Sequence, residues 1–227
     1  MHISRQASNG SLYSPVGRRK YLTSPERLRF IAAAMEHPRP EVRTLCLVLA
    51  YTGCRISEAL GLFSASIEPD EAFIAIRSLK KRKKALVIRQ VPVPPSLVRV
   101  LADVHPFADA GSRLWTWSRS RSWQLVKAVM ADARIPPGLH ATPKGLRHGF
   151  GVHAVRSGIP LNLVQRWMGH ASLTTTAIYL EVMGDEEREI AQRMWTMPDP
   201  DTIATPKVRC SVQSGCETHS RDDSSPT

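Results

Sequence analysis

Residues 142–179 read TPKGLRHGFGVHAVRSGIPLNLVQRWMGHASLTTTAIY. Thr142 followed by Pro143 opens a helix over 143–157, because a hydroxyl can cap the free N–H groups and proline suits a first turn. Gly158-Ile-Pro160 separates that helix from a second over 160–168, and a third follows over 173–182. Lys144 stands three positions before Arg147 and four before His148, so these side chains share one face of the first helix near its N-terminus. That terminus adds partial positive charge toward an anion. His170 closes the run Trp167-Met-Gly-His170, and Tyr179 follows nine positions later (179 − 170). The stretch therefore sets an imidazole and a phenol on neighbouring helices beside a cluster of cations.

Upstream, Thr23 with Glu26 three residues on forms a capping box, Pro25 suits the first turn, and Leu28, Ile31, Ala32 and Met35 recur at helical spacing. A second helix is predicted from about Pro40 to Tyr51, with Gly53 as a left-handed stop and a short helix after Arg55. Ala72–Leu79 and Leu86–Val93 alternate as strands, joined by the basic run Lys80–Lys84. Further helices are predicted over 95–104, 120–133 and 185–195. The fold class is mainly α with a small antiparallel β-sheet (α+β). Residues 1–20 read as a flexible basic arm, 21–196 as one folded domain, and 197–227 as a polar, disordered tail.

The 227 residues, 42% of them hydrophobic, suffice for one substantial core. A formal charge of +11 points to a polyanion, with nucleic acid ahead of membrane because no apolar run approaches about 18 residues. The start, MHISRQASNG, has no signal-peptide core, which indicates a soluble intracellular protein. Cys46, Cys54, Cys210 and Cys216 lack metal-ligand spacing, and His148 and His153, five apart, fall on different helix faces. Neither a metal nor another cofactor is expected.

Phosphodiester transesterification needs a nucleophile, cations for the non-bridging oxygens and an acid for the leaving oxygen. This sequence offers all three. Read singly, each candidate has a plain alternative: Arg55 pairing with Glu58 on a helix surface, Tyr179 half-buried in a core, His170 capping a helix, the lysine run a solvated turn. Trp115, Trp117, Trp123, Trp167 and Trp195 are scattered along the chain and read as packing residues, as do His153 and Cys54.

Taken together, Tyr51-Thr-Gly-Cys-Arg55-Ile-Ser-Glu58, Pro143-Lys-Gly-Leu-Arg147-His148, Met168-Gly-His170 and Tyr179 resemble, in order and spacing, the catalytic domain of the tyrosine recombinase (phage integrase) family over roughly residues 21–195. The resemblance implies that Arg55 and Arg147 hold the scissile phosphate, with Lys144 where many relatives carry histidine. It implies that His170 also binds phosphate and that Tyr179 attacks to leave a 3′-phosphotyrosyl bond. The family's general acid is a lysine of the β-hairpin, here Lys80 or its neighbour Lys81. Glu58 and His148 resemble supporting residues. The same resemblance implies duplex DNA recombination sites as substrate, a homotetramer on DNA, accessory DNA-bending proteins, and a cytoplasmic, nucleoid-associated bacterial setting without membrane attachment. Most relatives carry an N-terminal clamp domain where only some twenty residues stand here, which reads either as a short form lacking that domain or as truncation of a longer gene, and the final helix, with Ile190, Met194 and Trp195, is expected to dock on a neighbour. An idle DNA-binding regulator and a type IB topoisomerase are the competing expectations.

Overall fold

The computed structural model describes residues 11–78, 87–105 and 110–182. Eight α-helices and a three-stranded sheet are described there, in the order α1 (Ser24–Met35), α2 (Pro40–Thr52), α3 (Ile56–Ala59), β1 (Ile67–Glu68), β2 (Phe73–Arg77), β3 (Ile88–Pro92), α4 (Pro95–Val104), α5 (Arg119–Asp132), α6 (Pro143–Arg156), α7 (Leu161–Met168) and α8 (Thr174–Ala177). The predicted mainly helical class with a small antiparallel sheet is what forms. Among the described residues, no helix is long and apolar enough to cross a membrane.

Helix α2 is the centre of the molecule. Leu45, Cys46, Leu47, Val48, Leu49 and Ala50 run consecutively and all are buried, the signature of a helix surrounded on every side. It packs against α1, α4, α5 and α6. Gly53 ends it with φ of 59°, the left-handed conformation that glycine adopts without Cβ strain. The turn it makes delivers Arg55 to the start of α3.

Helix α1 begins with the expected capping box, the Thr23 hydroxyl accepting from the Glu26 N–H and the Glu26 carboxylate accepting from the Thr23 N–H. Its buried stripe differs from the one predicted. Leu28 and Met35 are exposed, whereas Arg27, Phe30 and Ala34 face inward. Arg27 does so with one terminal nitrogen donating to the Ala50 carbonyl and the guanidinium over the Tyr51 ring, which offsets part of the cost of burying the charged head while the stem packs.

The sheet is antiparallel in the order β1-β2-β3. Its first strand, Ile67–Glu68, leaves no signal in the sequence, being too short to alternate. The other two strands are shorter than predicted, and β2 starts at Phe73 because Ala72 before it adopts a left-handed turn (φ 51°). Register pairs Ile74 with Val91 and Ile76 with Arg89 on the inner face, while Ile88 points outward. Lys80–Lys84 lie outside the described residues, as do residues 1–10, the predicted helix 185–195 with Ile190, Met194 and Trp195, and the tail from 197.

The expectation of a mobile arm over residues 1–20 does not hold for 11–20. The chain turns back through Gly17, bridging Tyr13 to Arg19, with the Lys20 N–H donating to the Leu12 carbonyl. Leu12 is fully buried among Phe150, Val164, Met168 and Tyr179. Arg19 makes a two-point ion pair with Glu26. One apolar residue and one ion pair anchor a segment whose average composition is that of a tail. The predicted helix 173–182 also divides, α8 tightening into a 3₁₀ turn at Ile178–Val182 that carries Tyr179. Trp115 is buried and Trp117 and Trp167 pack on the core, but Trp123 is exposed beside Lys127 rather than packed. Cys46 and Cys54 are buried free thiols.

Candidate active site

Glycines let the site close. Helix α6 crosses the 3₁₀ turn at Gly151, where a Cβ would stand 2.5 Å from Cζ of Tyr179. The start of the same helix packs on the loop before it, a Cβ at Gly145 meeting the His140 carbonyl oxygen. Thr142 caps α6 by accepting from the Gly145 N–H, as its position before Pro143 predicts.

Arg147 and His148, adjacent on α6, reach different neighbours. Arg147 is buried and donates from its two terminal nitrogens to the carbonyl of Gly53, 2.7 Å away, and to that of Met168, 2.6 Å away. It thus joins the turn that carries Arg55 to the turn that carries His170. Burial, then the nearby Arg55 charge, pulls its pKa down to about 10, which leaves it charged at neutral pH. A guanidinium has five N–H donors, so donors remain for a phosphate.

His148 Nδ1 lies 3.2 Å from the Tyr179 hydroxyl. Burial and the charges of Lys144 and Arg147 push its pKa down to about 4, so the ring is neutral at pH 7. Tyr179 is almost wholly enclosed, 1% exposed, and burial raises its pKa to about 12 against the opposing pull of Arg147 and Arg55. Its ring stacks on His170, centroids 6.2 Å apart and 15° between planes. His170 Nδ1 lies 3.0 Å from the Thr176 hydroxyl, and its N–H donates to the Gln165 carbonyl past the left-handed Gly169.

Arg55 caps α3 and leaves its side chain about a third exposed, with one terminal nitrogen donating to Glu58 at 2.9 Å. Glu58 is 2% exposed. Its other oxygen accepts from the Arg55 N–H and from Arg89 at 2.6 Å. Burial alone would raise the Glu58 pKa, but the Arg89 charge and the Arg55 N–H outweigh it and hold it below the usual range. Arg55 and Arg89 therefore hold one carboxylate whose charge also acts on Arg147, and three guanidiniums to one carboxylate leave an excess of positive charge suited to a phosphate that gains negative charge as it reacts.

Of the residues singled out by sequence, Arg55, Glu58, Arg147, His148, His170 and Tyr179 converge. Lys144 stands exposed on the first turn of α6, and its charge acts on His148. Lys80 and Lys81 lie outside the described residues. Arg89 was not recognised as a site residue. The signal was present: it falls on the inward phase of a strand, where alternation calls for an apolar side chain, and a charge in that phase needs a buried partner.

The phage integrase family matches residues 20–185 of this chain. Tyrosine recombinase XerA of Pyrococcus furiosus is 30% identical over 77% of this chain and 61% of its own length. A resolvase of Escherichia coli is 28% identical over 84% of each chain. The crystal structure of XerA recombinase superposes with a TM-score of 0.63 and 28% identity, over 77% of this chain and 64% of that one. This chain therefore spans about three fifths of the XerA proteins it matches. With the four motifs now converging on one site within the matched region, the chain belongs to the phage integrase family, as a tyrosine recombinase catalytic domain.

Proposed function

We propose that this domain cleaves and rejoins duplex DNA at specific sites through a 3′-phosphotyrosyl intermediate. The observation that carries the reading is the Tyr179 phenol set 3.2 Å from His148 Nδ1 and within the electrostatic reach of Arg147 and Arg55. In the forward step the Tyr179 oxygen bonds to phosphorus and the bond to the 5′ oxygen breaks. The phenolic proton passes to His148 Nδ1 in the tautomer protonated on Nε2, and the departing oxygen takes a proton from a general acid, assigned on sequence resemblance to Lys80, with Lys81 next. Arg55 and Arg147 neutralise the non-bridging oxygens, His170 adds a hydrogen bond, and Lys144 serves as a phosphate cation rather than a proton shuttle. Strand rejoining is the reverse, with a 5′ hydroxyl as nucleophile and no metal or nucleotide required for energy balance.

Because Tyr179 is enclosed, attack requires the Ile178–Val182 turn to shift when DNA engages. One cut per protomer makes a homotetramer on paired duplexes the working assembly, with the segment 185–195 as its docking element and DNA-bending proteins as accessory partners. The +11 charge supports duplex DNA as partner. A cytoplasmic setting at the nucleoid, and a source in a mobile element, accord with that partner.

The test is covalent capture. The protein is incubated with a library of nicked duplexes carrying randomised centres, and denaturation-resistant adducts are recovered and sequenced. The expected result is an adduct with the wild type and none with Tyr179→Phe; DNA binding by both without any adduct would overturn the reading in favour of a non-catalytic binder.

A further inference from the structure

We infer that Arg89 is a positioning residue for the phosphate-binding cations. The inference rests on the transesterification reading for its consequence, but its geometry stands apart from it. Arg89 is 4% exposed, and its guanidinium makes three separate bonds. Nε donates to the Trp167 carbonyl at 2.7 Å, one terminal nitrogen to the Ser78 hydroxyl at 3.1 Å, and the other to Glu58 at 2.6 Å. Each acceptor belongs to a different part of the site. Glu58 holds Arg55 by its second oxygen, Trp167 begins the turn that ends in His170, and Ser78 lies just past the end of β2.

The arrangement completes a circuit with Arg147. Arg147 links the Gly53 and Met168 carbonyls from the α6 side, and Arg89 links Glu58 and the Trp167 carbonyl from the sheet side. Two guanidiniums thus span the same gap, between the Arg55 segment and the His170 turn. Gly169 fits this role, since a Cβ there would stand 3.0 Å from the Arg89 guanidinium, and the turn lies flat against it. Arg89 has little exposed surface with which to meet DNA itself, whereas Arg55 is partly open. The structure therefore separates a guanidinium that meets the phosphate from one that orients it. Lysine could not replace Arg89, because an ammonium is a single point and the three acceptors lie in three directions around a planar fork.

Loss of Arg89 leaves the buried Glu58 carboxylate held by Arg55 alone, through its N–H and its side chain, so the Arg55 guanidinium pairs with a partner that is no longer pinned from the sheet side. Two measurements on Arg89→Lys and Arg89→Met test this. The first needs no DNA: in protein labelled with nitrogen-15 arginine, the terminal nitrogens of Arg55, assigned by their absence in Arg55→Lys, should be resolved at low temperature in the wild type. They should coalesce in both variants, reporting free guanidinium rotation. Arg55 resonances in either folded variant that superimpose on those of the wild type would overturn the inference. The second uses a duplex recovered by wild-type covalent capture. At saturating DNA the adduct rate should fall about 100-fold in both variants, with affinity changed far less. That deficit should shrink on a duplex whose scissile phosphate is a neutral methylphosphonate, which needs less cationic stabilisation. An equal deficit on both substrates would mean that Arg89 acts only on folding. A wild type that forms no adduct would sink the transesterification reading and leave the arginine resonances to judge Arg89 alone.

Discussion

The Tyr179 hydroxyl and His148 Nδ1 lie 3.2 Å apart in a setting that keeps both neutral: burial raises the phenol to about 12, and burial with Lys144 and Arg147 lowers the imidazole to about 4. A neutral donor beside a neutral acceptor stores no charge until the phosphate arrives. His148→Ala should therefore reduce the adduct rate by about 100-fold while leaving DNA affinity near that of the wild type, as single-turnover capture would show. An unchanged rate would remove His148 from proton transfer.

The same depressed imidazole makes a statement about stability. An unfolded histidine takes a proton near pH 6.5, whereas folded His148 resists it until about pH 4. The contribution is complete above pH 6.5 and is lost as pH falls through that window toward 4. Because the ring is partly open to solvent, about 1–2 kcal/mol is expected between pH 7 and 5. Urea unfolding at the two pH values should show a smaller acid loss in His148→Gln than in the wild type.

Gly151 tests whether the tyrosine's placement can be spoiled without touching a reacting group. In a helix interior, glycine to alanine gains about 1 kcal/mol from propensity. Here the new methyl would meet the Tyr179 ring at 2.5 Å, so Gly151→Ala should displace the ring and cut adduct formation by at least about 100-fold. Duplex binding, measured by mobility shift, should persist. A fully active alanine variant would mean that the 3₁₀ turn gives way without cost.

Leu12 and Glu26 report on the N-terminal turn. Leu12→Ala should cost about 2–4 kcal/mol as a buried leucine truncation. Glu26 has its pKa brought to about 2: burial pushes it up, but the Arg19 guanidinium and the Thr23 N–H prevail. Its stabilisation is present above about pH 4.5 and lost as pH falls toward 2. Glu26→Gln should lower the denaturant midpoint at pH 7 and expose the 11–20 segment to proteolysis; equal protease resistance would show that Leu12 alone holds the turn.

Arg147→Lys keeps the charge and removes the fork that spans the Gly53 and Met168 carbonyls. The adduct rate should drop about 1,000-fold, and stability should fall by about 2 kcal/mol because a buried carbonyl loses its donor. Calorimetry alongside single-turnover capture separates the two effects.

Much of this was legible in the chain. The capping box at Thr23, the left-handed stop at Gly53, the Pro143 helix start and the alternating strands rest on local backbone chemistry, and each forms where the residues call for it. The exposed Leu28 and the buried Arg27 were not legible, because hydropathy cannot show that the Ala50 carbonyl and the Tyr51 ring await a guanidinium. Leu12 was hidden for a related reason: a single side chain entering a distant cluster leaves no periodic trace.

The sequence by itself determined where helices α1 to α7 form and that arginines, histidines and a tyrosine meet in the site, since spacing along a helix and turn chemistry act over a few residues. Tertiary structure alone decided that adjacent Arg147 and His148 serve different neighbours, and that Arg89 joins β3 to Glu58 and to the Trp167 carbonyl. Those partners lie 94, 31 and 78 positions away in the cases of Arg147 with Gly53, Arg89 with Glu58, and Arg89 with Trp167. A buried charge takes whichever acceptor the packed fold brings within reach, and no local pattern specifies that acceptor.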